Sequence, residues 1–342
     1  MPYDPVMRSH CAVYVDSGYL LAAAATRVTG TSLRSSVTVD HPALIGQLAD
    51  QATADSGLPL LRIHWYDAAR NGHPEPTHEQ IGMLPRVKVR LGRIGYEGEQ
   101  KGVDLRIGLD MVAHARNGAV DVMYLVSGDD DLTEAVEEAQ AQGVQVIVLA
   151  VPTTDGRPHG LSRHLQQASD GMALVEAERL DSWVKKSAAA ITAEIKAATP
   201  AAPVPAPAAK HPSPADLAQR VTAPRTAVPT VPAERRVGSP REVVYTSITG
   251  GTASISPRYE GIPEESLELM DVVAKRVADT YFLTATPAQR EALLADRPSI
   301  PRDVDRSLLQ DASESLGTYD IADALRFRLR DKFWDAVGTH TR

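Results

Sequence analysis

The sequence predicts an α/β fold: a doubly wound, mostly parallel sheet with helices on both faces, followed by a Pro/Ala-rich linker and a small all-α region. Three observations predict it. From about Cys11 to Ala198, short β-branched runs alternate with helical patterns, as in a chain of βαβ units. Twice, an apolar run closes on small and acidic residues just before a helical pattern begins, at Val15-Asp16-Ser17-Gly18 and at Val126-Ser127-Gly128-Asp129. From Thr199 to about Pro240 the text becomes Pro and Ala with little else, which can neither pair in a sheet nor continue a helix and prefers an extended polyproline form. The expected divisions are a sheet domain over 8–198, a largely disordered linker over 199–256 and a helical region of unknown role over 257–338.

In chain order, Cys11 to Val15 is the first predicted strand, and Tyr19 to Ala25 starts a helix of small and apolar residues. A second helix follows Asp40, with Pro42 in its first turn, Leu44, Ile45 and Leu48 on its apolar face and Gly57 as its stop. Leu60 to Trp65 reads as a buried strand, and Asn71 to Pro76 as a loop. Arg86 to Leu91 alternates strictly, placing Arg86, Lys88 and Arg90 on one face and Val87, Val89 and Leu91 on the other; this predicts a half-buried strand with a basic outer ladder. Arg93, Lys101 and Arg106 lie nearby.

Over Val103 to Arg116, projection at about 100° per residue puts Ile107, Gly108, Met111, Val112 and Ala115 on one stripe. Asp104 falls inside that stripe, whereas Arg106, Asp110 and His114 fall opposite, so Asp110 reads as a plain surface charge. A carboxylate on a core-facing stripe is costly unless something positive meets it, either the helix amino terminus or a cation. Val122 to Val126 is the next strand. It runs into Ser127-Gly128-Asp129-Asp130-Asp131, then a helix from Leu132 to Gln142 stopped by Gly143. One Asp explains a helix cap, but three in succession repel, which points to a cation. Val144 to Val151 is a continuous buried run, Pro152 to Gly160 a loop, His164 to Ala168 a short helix and Met172 to Val175 a last strand. A closing helix is predicted over Leu180 to Ala198 around Trp183, Ile191 and Ile195. Beyond the linker, four helices are predicted: Glu264 to Phe282, Pro287 to Leu294, Arg302 to Leu316 and Ile321 to Val337.

Composition excludes several classes. The 342-residue chain is 43% hydrophobic but only 5% aromatic, so Ala and Val fill most of the core. A net charge of −8 argues against bulk attraction to nucleic acid or anionic membrane, so a polyanion would need a local patch. The single cysteine, Cys11, rules out an internal disulfide and a thiolate metal cluster. No apolar stretch reaches membrane-spanning length and residues 1–8 lack the apolar core of a signal peptide, so the expected location is cytoplasmic.

A doubly wound sheet brings Asp16, Asp104, Asp129 and Asp131 to the same rim. Hard oxygen donors without Cys or a convincing His pair select Mg2+ or Mn2+, and such clusters serve phosphodiester hydrolysis. Gly-rich phosphate loops and an Asp-x-Asp phosphotransfer motif after the first strand are absent.

The ordered set Val15-Asp16, Lys101-Gly102-Val103-Asp104 and Ser127-Gly128-Asp129-Asp130-Asp131 resembles the NYN domain, a branch of the PIN-like nucleases, over roughly Cys11 to Val175. The linker and helical tail resemble an arrangement of actinobacterial members. The resemblance implies a metal-dependent ribonuclease whose ion is held by Asp16, Asp104, Asp129 and Asp131. Where many members carry Asn three residues after the first Asp, this chain has Tyr19. The expectation is an Mg2+- or Mn2+-dependent endoribonuclease, with Ser127 and Ser17 behind the ligands and Arg86, Lys88, Arg90, Arg93 and Lys101 steering RNA, DNA not being excluded. Arg326, Arg328 and Arg330 are the reserve path. The alternatives are a non-cleaving regulatory module that binds RNA, a nucleotide or metal on the same fold, and an interaction protein acting or self-associating through its helical tail.

Overall fold

The computed structural model describes residues 9–94, 100–188, 244–245, 252–253, 262–318 and 321–341. The sheet is built from β1 (Cys11–Asp16), β3 (Leu60–Arg70), β4 (Val87–Ile94), β5 (Gln100–Lys101), β6 (Val122–Val126), β7 (Gln145–Ala150) and β8 (Gly171–Leu174), in the order β5-β4-β3-β1-β6-β7-β8. All neighbours are parallel except the two-residue β5, which runs antiparallel to β4.

Alternation along β1 divides the two cores. Cys11, Val13 and Val15 face α1 (Ser17–Thr29) and α2 (His41–Ser56), with Trp65 and Tyr124 beside them. Ala12 and Tyr14 face α4 (Val103–Arg116) and α5 (Thr133–Ala141), with Tyr66, Ile107, Met111 and Val136. The short α6 (Arg163–Ala168) completes the second face through Leu165. Asp40 caps α2 by accepting from the Ala43 N–H at 3.1 Å, and Gly57 ends it in the left-handed region at φ 67°.

Three expectations are corrected. β3 runs on to Arg70, and its loop is followed by α3 (Pro76–Gly82), whose Glu75–His78 capping box the apolar pattern did not reveal. Of the closing helix, the described residues show α7 (Ala177–Trp183), interrupted before helix resumes at Ala188. Val184, 1% exposed, instead starts β9 (Val184–Lys186), which pairs antiparallel with β2 (Val37–Val39) through Val39↔Val184 and Val37↔Lys186. A β-branched residue with a strand to pair against gains more there than in another helical turn. Ile191 and Ile195 lie outside the described residues. Finally, α4 presents Leu105 and Leu109 to solvent, while Asp110 and His114 lie half-buried against the sheet. The helix leans on β1, β3 and β4, so its flank is covered along with its apolar stripe.

The linker expected over 199–256 lies outside the described residues except for a two-strand ladder, β10 (Val244–Tyr245) with β11 (Thr252–Ala253). The described residues of the sheet region and those from Ile262 onwards belong to one compact unit, from which the β10–β11 ladder is separate. Within that compact unit, α8 (Glu264–Thr284), α9 (Pro287–Ala295), α10 (Arg302–Leu316) and α11 (Asp323–His340) enclose a core of Met270, Val277, Leu308 and Phe333. Leu33, from the loop after α1, is buried in that same core. Beside it the Ser32 N–H donates to Asp311 Oδ1 at 3.0 Å, the Ser32 hydroxyl donates to the Ser307 carbonyl at 3.4 Å, and His159 Nδ1 lies 2.9 Å from Glu314 Oε1. The helices are thereby docked on the sheet region by α10. No helix among the described residues is long and apolar enough to cross a membrane.

Candidate active site

The chain leaves β1 towards β3 and later returns on the other side at β6, so strand order reverses between β1 and β6. The crevice at the carboxyl ends of strands at such a switch is where open α/β sheets bind ligands. Asp16 ends β1 there and caps α1, its Oδ1 accepting from the Gly18 N–H at 2.8 Å. Across the switch, the buried Ser127 accepts from the Asp129 N–H at 3.2 Å, and Asp129 Oδ1 accepts from the Asp131 N–H at 3.1 Å to cap the turn over Asp130–Leu132. Gly128 makes this exit possible, because a Cβ there would lie 2.1 Å from the Gly160 carbonyl oxygen and 2.8 Å from the Tyr19 ring. Tyr19 is a post for the loop after β7: its hydroxyl donates to the His159 carbonyl at 2.7 Å and accepts from the Val151 N–H at 3.3 Å. Asp104 stands in the first turn of α4, behind Gly102 at φ 76°.

These carboxylates sense one another. Burial pushes Asp16 up to about 6, and the charge of Asp104 adds to the rise. Asp104 is raised by burial and then by Asp129 and Asp131; Asp129 is raised by burial and by Asp131 and Asp130. Asp130 turns away to accept from the Ser162 hydroxyl and to meet His164 Nδ1 at 3.2 Å. Among the described residues, no three His, Cys, Asp or Glu side chains stand in a ligating arrangement.

Several residues that sequence reasoning missed stand at this rim. Arg306 of α10 is half-buried where the charges of Asp16 and Asp104 reach it; burial and Arg34 depress it while those carboxylates oppose the change. Arg34 also lowers Asp16 and sits 3.9 Å from Asp67 of β3. Burial would raise Asp67, yet His78, Arg34 and the Ala68 N–H together hold it below the usual carboxylate range. His78 Nδ1 accepts from the Glu75 N–H at 3.0 Å, which leaves Nε2 to donate to Asp67 Oδ2 at 3.3 Å. Ser17 is fully buried beside this pair. Trp65-Tyr66-Asp67 repeats the apolar-run-then-acid grammar and offered a local signal for Asp67. Nothing local marks Arg306.

The basic ladder is not assembled as the alternation implied. Arg86 precedes β4 in the left-handed region at φ 61°, so only Lys88 and Arg90 share a strand face. Arg90 is committed to Asp110, with Nε donating to Oδ2 at 2.8 Å and Nη2 to Oδ1 at 2.5 Å, while the Tyr66 hydroxyl donates to Oδ2 at 2.9 Å. Asp110 is therefore an anchor between helix and sheet, not a plain surface charge. Arg93 lies opposite Lys101 in the β4–β5 ladder. The reserve arginines serve the helical region: Arg328 is forked to Asp271 at 2.8 Å, Arg330 to Asp305 at 2.7 and 2.8 Å, and Arg326 lies 3.9 Å from Asp323.

The family model for the NYN domain matches residues 10–176. That interval contains all seven strands of the sheet together with Asp16, Asp104, Asp129 and Asp131. Among curated proteins, the chain is 40% identical over 76 residues to the uncharacterized protein y4oD of Sinorhizobium fredii, which is 22% of this chain and 36% of that relative. The match therefore spans only about a third of the relative's length. No solved structure matches. Residues 10–176 of this chain are an NYN domain, of the PIN-like nuclease superfamily.

Proposed function

We propose that the chain is a divalent-metal-dependent endoribonuclease, with Asp16, Asp104, Asp129 and Asp131 as the residues that would hold Mg2+ or Mn2+. One observation carries the reading: carboxylates from three separate stretches converge at the topological switch and raise one another's affinity for protons. An all-oxygen donor set of this kind suits a hard dication. The fit is one of donor chemistry, since no ligating arrangement is present among the described residues. When bound, such an ion supplies Lewis acidity and an acidified water.

The chain's own residues would do the positioning. Ser127 and the turn after it aim Asp129, the Gly18 N–H fixes Asp16, and Arg306 and Arg34 offer cations beside the carboxylates for the charge of a phosphodiester. The second reading is a non-cleaving module that binds RNA or a nucleotide, favoured by the position of Arg306, whose cation answers the same carboxylates.

A cleavage assay separates the two. Generic RNA and DNA are incubated with the full chain in Mg2+, Mn2+ or EDTA, beside Asp129→Asn. Metal-dependent RNA cleavage that the variant loses supports the nuclease. Binding without cleavage in every metal supports the second reading, and preferential cleavage of DNA would replace RNA as the substrate.

A further inference from the structure

Away from the carboxylate rim, a cavity of about 350 Å3 opens between β3, β4 and the carboxyl-terminal half of α4. Arg62, His64, Lys88, Arg90, Asp110 and His114 line it. Parallel register sets its floor, with Tyr14 beside His64, His64 beside Lys88 and Tyr66 beside Arg90.

Three features mark it as a binding site. First, cations outnumber anions: Arg62, Lys88 and Arg90 surround the single carboxylate of Asp110. Asp110 answers Arg90, whereas Arg62 and Lys88 form no ion pair or hydrogen bond among the described residues. Second, His64 is 5% exposed, yet its Nδ1 is buried with no hydrogen-bond partner. A buried polar atom left unpaired costs about 1–3 kcal/mol, which a bound hydrogen-bonding group would recover. Third, the imidazoles are held in place. His64 stacks on Tyr14 at 5.1 Å and 16°, its ring centroid is 4.7 Å from that of His114, and the Tyr14 hydroxyl meets His114 Nδ1 at 2.8 Å.

The electrostatics agree with the geometry. Burial pushes His64 down to about 4, with His114, Arg62 and Arg90 adding to the fall against the pull of Asp110. Burial also lowers His114, Asp110 opposes this, and the same two arginines add to it. A convergence of uncommitted cations with fixed imidazoles is one that a doubly charged oxyanion relieves, through charge-assisted hydrogen bonds.

We propose that this cavity binds a phosphate monoester, with Arg62 and Lys88 supplying charge and His64 and His114 hydrogen bonds. Asp104 and His114 are ten residues apart on one helix, roughly 15 Å at about 1.5 Å per residue. If the nuclease reading holds, a terminal phosphate seated here would set the spacing between a strand end and the carboxylates. Binding itself does not depend on that reading.

The test uses the full chain. Inorganic phosphate, at ionic strength matched with chloride, is titrated by calorimetry and by thermal melting against the parent, Arg62→Gln/Lys88→Gln and the charge-retaining Arg62→Lys/Lys88→Arg. Both positions are exposed, so the fold is expected to survive, and the parent-like melt of each variant without phosphate checks this. The expectation is saturable phosphate binding, weakened at least about tenfold by the Gln pair and kept by the charge-retaining pair. His64→Phe, which preserves the stack on Tyr14, is also expected to weaken binding. No saturable binding, or binding equal in parent and Gln pair, overturns the proposal. In a second arm, 5′-phosphorylated and 5′-hydroxyl oligoribonucleotides are bound to Asp129→Asn, so that failure of cleavage has no bearing. A 5′-phosphate preference abolished by the Gln pair assigns the phosphate to a nucleic-acid end. Phosphate binding without that preference supports the cavity as a site for a free small phosphate.

Discussion

The Ser32 N–H donates to Asp311 Oδ1 at 3.0 Å, joining the loop after the first helix to a helix 279 positions further along the chain. Asp311 is 2% exposed, and burial pushes it up to about 6, beyond what Ser32 and the distant Arg276 offset. A carboxyl raised in the fold favours its protonated form, so its contribution is fully present below the unfolded pKa near 3.8 and is lost as pH rises through about 6. Asp311→Asn keeps an acceptor for Ser32 and removes the charge. The variant is expected to match or exceed the parent in stability at pH 7, the difference vanishing as pH falls from about 6 towards 4. Asp311→Ala removes the acceptor and is expected to cost about 1–3 kcal/mol at pH 7. Denaturant melts across pH measure both, and a parent curve parallel to that of Asp311→Asn would refute the argument.

Arg306 answers the charges of Asp16 and Asp104 from the helical side. Arg306→Gln is expected to lower metal-free stability by about 1 kcal/mol and to enlarge the rise in melting temperature produced by Mg2+ or Mn2+, because a competing cation is gone. Melting curves with and without metal report the two changes separately. A metal-induced shift identical to the parent's would place Arg306 outside the ion's field.

Two Asp→Asn changes on one helix are expected to act in opposite ways. Asp104→Asn relieves repulsion from Asp129 and Asp131, so the metal-free protein is equally or more stable while metal binding weakens about tenfold or more. Asp110→Asn leaves Arg90 and Tyr66 without their shared carboxylate and is expected to cost about 1–3 kcal/mol with metal binding unchanged. Chemical denaturation and metal titration of both variants read out the contrast. Equal stability losses would count against the separate roles.

Gly128→Ala is expected to destabilise by about 1–3 kcal/mol, since its Cβ meets the Gly160 carbonyl backbone at 2.1 Å, where no flexible side-chain end can give way. The shift needed would also move Asp129, so any metal-dependent signal should fall with stability. A parent-like melting temperature would show that the loop after β7 can yield.

Local physics made much of the architecture legible. Strand β6 and helices α4 and α10 lie at the bounds that apolar period and flanking residues predict, because those signals report what each backbone segment prefers by itself. Gly57 and Gly317 end helices in the left-handed region, where a side chain is strained. The acid-closed ends of β1 and β6 were visible for the same reason, and sheet topology then placed both at the switch. What the sequence did not display depends on partners from distant segments. Val184 leaves a helical pattern because Val39 offers a strand, and Asp110 is buried because Arg90 and Tyr66 meet it across the sheet. Periodicity gives a residue's angle on its own helix but not the breadth of the surface that helix lies on, so the flank bearing Asp110 and His114 read as solvent. Arg306 belongs to a run whose pattern reports only an amphipathic helix. Its place beside Asp16 and Asp104 follows from the docking of α10 through Ser32, Leu33 and His159, a long-range packing decision that composition and period do not encode.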